Sequence, residues 1–187
     1  VAFSNVHILA HSMGNRALLE ALAESGWNPM RNRRFQWRAV LKNVILAAAD
    51  EELSKFESML RETHRQGAIH RPIISVYSSR RDKALKVSGF LNWRYRLGDT
   101  RSLLRRHPMR VGDNIVDVID TSGVDDSYLK HSYYAEVHAV LDDIQNLLRN
   151  DHHAQFRVQN PQIHKLTHQC PSLPDWDLYA FEPAELS

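Results

Sequence analysis

Ser12 stands in Ala10-His11-Ser12-Met13-Gly14, directly after the apolar run Val6-His7-Ile8-Leu9-Ala10 and directly before a helix-like segment. This is the G-x-S-x-G pattern with alanine in the first glycine position. The spacing has a chemical reason: a serine on a sharp strand-to-helix turn has its hydroxyl thrust above the sheet, where it can attack a substrate. Small residues two before and two after it, here Ala10 and Gly14, let strand and helix approach closely. The helix N-terminus brings unpaired N–H groups and a positive dipole end, so the N–H of Met13 is a candidate oxyanion donor. The plainer alternative is that Ser12 only caps the following helix. A strand before and a helix after favour the nucleophile.

A serine hydroxyl needs a base to take its proton. In sheets with such a serine turn the chain order is serine, acid, histidine, which screens the candidates by position. A third apolar run, Ile73 to Tyr77, leads into Ser78-Ser79-Arg80-Arg81-Asp82. Asp82 therefore falls just past a strand's carboxyl end and is the expected acid, whether or not it also caps the next helix. Asp50, in Ala49-Asp50-Glu51 after the second strand, is the rival acid. Among 11 histidines, His131 is singled out because it lies beyond the last strand and just before the last helix. His11 is expected to shape the pocket wall. His138 reads as a packed or exposed helix residue, and His152-His153 as solvated. No spacing makes a metal site, and no cofactor is expected.

These residues need elements to hold them. Strands are expected at Val6–Ala10, Asn43–Ala48, Ile73–Tyr77 and Ile115–Ile119. Helices are expected over Asn15–Ala23, Glu52–Gln66, Asp82–Leu91 and Tyr133–Leu148, from apolar residues at helical spacing. Alternation of this kind implies an α/β fold with a four-stranded, mainly parallel sheet covered by helices on both faces. Val6–Ala10 should form one edge. Reactive groups in such sheets gather at the carboxyl ends of the strands. Residues 1–150 form the domain, and 151–187, punctuated by four prolines, read as an irregular tail in which Trp176, Tyr179 and Phe181 dock as an anchor.

Composition narrows the classes. The chain has 187 residues, 43% hydrophobic, with 24 basic against 22 acidic side chains and a net charge of +2. That balance argues against nucleic-acid binding as the main role. One cysteine, Cys170, excludes an intrachain disulfide framework. No apolar run approaches the ~20 residues of a membrane span. Arg94, Arg96, Arg101, Arg105, Arg106 and Arg110 read as a solvated loop or helix face, or as a cap that attracts anions, with Trp93 and Tyr95 adding apolar contact. The start at Val1 suggests upstream sequence, and the expected location leans to cytoplasmic.

Taken together, Val6 to Asn15, Asn43 to Asp50, Ser79 to Leu85 and His131-Ser132-Tyr133-Tyr134 resemble a bacterial family of esterase/lipase-like α/β-hydrolases, over roughly residues 1–150. Four motifs in order are far more specific than one. The resemblance implies the C-terminal half of an eight-stranded fold, strands five to eight, and assigns Ser12, Asp82 and His131 to the triad. It implies a serine hydrolase and fixes the reaction class better than the ligand; a small acyl ester is the expected substrate. The first four strands, with the loop that normally gives the second oxyanion donor, are not in the sequence. Two further readings therefore stay open: a truncated, non-catalytic interaction module, and a thioesterase, amidase or acyltransferase with the same triad.

Overall fold

The computed structural model describes residues 5–25, 40–65, 72–92, 95–105, 116–124, 133–157, 163–166 and 178–181. Strands β1 (Asn5–His11), β2 (Val40–Ala47), β3 (Ile73–Ser78) and β4 (Val116–Asp120) alternate with helices α1 (Gly14–Ser25), α2 (Leu53–Arg65), α3 (Lys83–Asn92) and α4 (Thr100–Arg105). After β4 come α5 (Tyr133–Glu136), α6 (His138–Asn150), α7 (Ala154–Arg157), β5 (Ile163–Leu166) and β6 (Leu178–Phe181). The four expected strands are all parallel to their neighbours. Their register aligns His11, Ala47, Tyr77 and Ile119 across the sheet. The residues that follow these strands thus share one rim.

Alternation along each strand sorts the core into two layers. Val44, Leu46, Ile74, Val76 and Val118 pack with Leu19, Phe56, Leu60 and Leu103 from α1, α2 and α4. Ile45, Tyr77 and Ile119 pack with Leu85, Val140, Ile144 and Leu147 from α3 and α6. Burial on both faces is why these strands read as nearly continuous apolar runs.

Three expectations are corrected. The sheet has six strands, in the order β1-β2-β3-β4-β6-β5, so the tail is not irregular throughout. β6 joins parallel to β4, and β5 runs antiparallel to β6. Each tail strand has four residues, too few for a periodic signal, and their pairing is a long-range contact that local sequence does not announce. The tail joins at the edge opposite β1, which is an edge strand as expected and pairs only with β2 among the described residues. The helix expected over Tyr133–Leu148 is broken at Val137, whose φ of −97° and ψ of 114° are extended. Finally, Arg96 is not solvated: it is 5% exposed, and its backbone forms a bridge with Glu52. Trp93, Arg94, Arg106, Arg110 and Trp176 lie outside the described residues.

Candidate active site

β1 ends at His11 and α1 begins at Gly14, so the turn between them is two residues long. Ser12 takes a φ of 52°, in the left-handed region. For a residue with a Cβ this costs about 1–3 kcal/mol, and it persists only where the surroundings over-determine it. They do so here. The Ser12 N–H donates to the Ala47 carbonyl at 3.1 Å. The Ser12 carbonyl accepts from the Asn15 N–H at 3.2 Å and the Asp50 N–H at 3.3 Å, and from Asn15 Nδ2 at 2.8 Å. Asn15 is fully buried, and its Nδ2 also reaches the Ala47 carbonyl at 3.2 Å. One amide thus joins the turn to the end of the neighbouring strand. Met13 follows with its side chain 65% exposed. A Cβ on Gly14 would meet nothing within 4 Å, so packing among the described residues does not require glycine there.

Asp82 directly precedes α3 and is 1% exposed. Its Oδ1 accepts the Leu85 N–H at 2.9 Å, the capping bond expected of that position. Beside it on the rim, Asp120 is buried in a polar web. It accepts from Thr100 Oγ1 at 3.1 Å, from the Ser122 N–H and hydroxyl, and from Arg80 Nε at 3.1 Å. Arg80 also donates its backbone N–H to the Ser122 hydroxyl at 2.7 Å, so the web fixes the loop that carries Asp82.

Asp50 has a different setting. Its Oδ2 is 2.8 Å from Arg16 Nη2, its Oδ1 accepts the Ser88 hydroxyl at 2.8 Å, and Arg96 Nε lies 3.2 Å from that same oxygen. Two guanidinium groups and a hydroxyl occupy this carboxylate. The segment bearing Arg96 is laid along the strand ends by Leu97 N–H to Glu51 O at 2.9 Å, Gly98 N–H to Ala49 O at 2.9 Å and Ser79 N–H to Gly98 O at 3.0 Å.

His131 lies outside the described residues. Tyr134 in α5 sets its ring against His11, tilted by 33° with centroids 4.5 Å apart. His11, expected to wall the pocket, makes that contact directly beside Ser12. His138 is exposed at the start of α6. Among the described residues no group of three His, Cys, Asp or Glu side chains is placed to hold a metal ion. No helix among them is long and apolar enough to cross a membrane.

Asn15, Arg16, Ser88 and Arg96 were not singled out from the sequence as supports of the turn. Arg16 falls in the first turn of α1, directly after the serine turn, a closeness visible in the sequence. Arg96 was one of six similar arginines, and nothing local distinguishes it.

A parallel sheet with a strained serine turn at its carboxyl rim belongs to the α/β-hydrolase class. The chain is a member of the family described as alpha/beta hydrolase of unknown function (DUF900), which it matches over residues 2–150. No curated protein and no solved structure matches it.

Proposed function

We propose that the chain carries the catalytic residues of a serine hydrolase that cleaves carboxylic esters through an acyl-enzyme. The observation that carries this reading is the left-handed backbone of Ser12 on a two-residue turn at the strand ends. In this scheme Ser12 Oγ attacks the acyl carbonyl and passes its proton to His131, which delivers it to the leaving alcohol. Water then enters by the same base and releases the acid. Asp82 orients His131 and stabilises its charged form, and the Met13 N–H faces the oxyanion. Chain order supports His131. It follows Ser12 and Asp82 in the chain order serine, acid, histidine, and it precedes Tyr134, whose ring lies against His11 next to Ser12. The occupied carboxylate of Asp50 favours Asp82 as the acid.

A fluorophosphonate probe tests the nucleophile. The protein should be labelled, and Ser12→Ala should not. Labelling that survives Ser12→Ala rejects the assignment.

A further inference from the structure

Resting on Ser12 as the nucleophile, we propose that Asp50 is a positioning residue that locks the serine turn, clamping α1, α3 and the 95–98 segment around it.

Asp50, three residues beyond β2, is 7% exposed and meets the turn twice. Its N–H donates to the Ser12 carbonyl at 3.3 Å. Its own carbonyl accepts Arg16 Nε at 2.5 Å while its Oδ2 accepts Arg16 Nη2 at 2.8 Å. The guanidinium is therefore gripped at two points, a geometry that a lysine ammonium cannot reproduce. Arg16 stands in the first turn of α1, and its N–H donates to the carbonyl of Met13, the residue next to Ser12, at 3.0 Å. Asp50 thus holds the turn at both ends, the Ser12 carbonyl through its own N–H and the first turn of α1 through Arg16.

The other carboxylate oxygen, Oδ1, meets α3 and the 95–98 segment. It accepts the Ser88 hydroxyl of α3 at 2.8 Å and lies 3.2 Å from Arg96 Nε, an ion-pair contact without hydrogen-bond geometry. Arg96 Nη2 also reaches the Ser88 carbonyl at 3.4 Å. One carboxylate thus ties the helix that follows the nucleophile to the helix that follows Asp82. A small misplacement of reacting groups costs rate far more than it costs binding. Asp50 acts through Arg16 and the backbone, without touching the reacting atoms.

The test uses Asp50→Asn and Arg16→Lys in the whole chain, with a p-nitrophenyl ester as substrate and hydrogen exchange of the peptide spanning Ser12. Both variants should lower kcat by about 10–100-fold with KM nearly unchanged. The acidic limb of the kcat/KM profile should not move, and the Ser12 peptide should exchange faster. Arg16 is partly exposed, so Arg16→Lys decides the matter should Asp50→Asn fold poorly. A shifted acidic limb in Asp50→Asn would make Asp50 the acid and overturn the proposal. Unchanged kcat and exchange would overturn it too. Were wild type to give no turnover and no probe labelling, the nucleophile reading would fail by itself, while exchange at the turn would still decide whether Asp50 clamps it.

Discussion

Arg157 Nε lies 2.8 Å from Asp143 Oδ1, and both side chains are shut away from solvent. Arg157 comes from α7, beyond the residues the family match covers. Its Nη1 reaches the His152 carbonyl at 2.5 Å and sits 3.6 Å from Asp117 Oδ2. Removing one partner of a buried pair strands the other charge, which costs about 3–5 kcal/mol. Arg157→Ala should therefore lower unfolding stability by about that amount in a urea titration. A loss below 1 kcal/mol would mean that the cluster is not a structural lock.

Tyr77 donates its hydroxyl to Asp143 Oδ2 at 2.6 Å inside the same cluster. Burial, reinforced by the Asp143 charge, pushes its phenol well above the ordinary 10.0. Below that ordinary value, both folded and unfolded chains keep the proton and this group adds no pH dependence. Above it the unfolded chain gives up the proton first, so the folded state holds more protons and stability falls as pH rises. The slope from this group approaches ~1.4 kcal/mol per pH unit. Between pH 9 and 11, Tyr77→Phe should lose stability less steeply than wild type. Parallel curves would reject the linkage.

The cap and the proposed chemistry of Asp82 can be separated. Asparagine caps a helix about as well as aspartate, so Asp82→Asn should keep the bond to the Leu85 N–H and shift stability by no more than ~0.5 kcal/mol. Its kcat should nevertheless fall about 10⁴-fold, because a neutral amide neither holds the right histidine tautomer nor balances its charge. Turnover near wild type would remove Asp82 from the triad.

Gly98 has no room for a side chain. A Cβ there would fall 2.3 Å from the Ala49 nitrogen, 2.6 Å from the Ala48 carbonyl carbon and 2.7 Å from Leu85 Cδ1. Two of these three are backbone atoms at the end of β2, where Ala48 already holds a φ of 44°. Gly98→Ala should cost about 1–3 kcal/mol or more, read as a lowered Tm. An unchanged Tm would show that the 95–98 segment can move off the strand ends.

Much of this fold is written in local sequence. Val6–Ala10, Asn43–Ala48 and Ile73–Tyr77 are apolar runs punctuated by turn residues, and each becomes a parallel strand because both its faces are buried. The positions of Ser12 and Asp82 beyond strand ends are legible for the same reason: strand ends are local, and the rim follows from them. What sequence alone did not determine depends on contacts between distant segments. The pairing of β6 with β4 joins residues some sixty positions apart. Arg96 and Arg101 have the same chemistry, yet tertiary packing buries the first against Asp50 and leaves the second in solvent. Asp50 looked like an acid at a strand end, and only the arrival of Arg16, Ser88 and Arg96 occupied its oxygens. A carboxylate's environment is made by what folds against it, and that is fixed by the packed structure rather than by its neighbours in the chain.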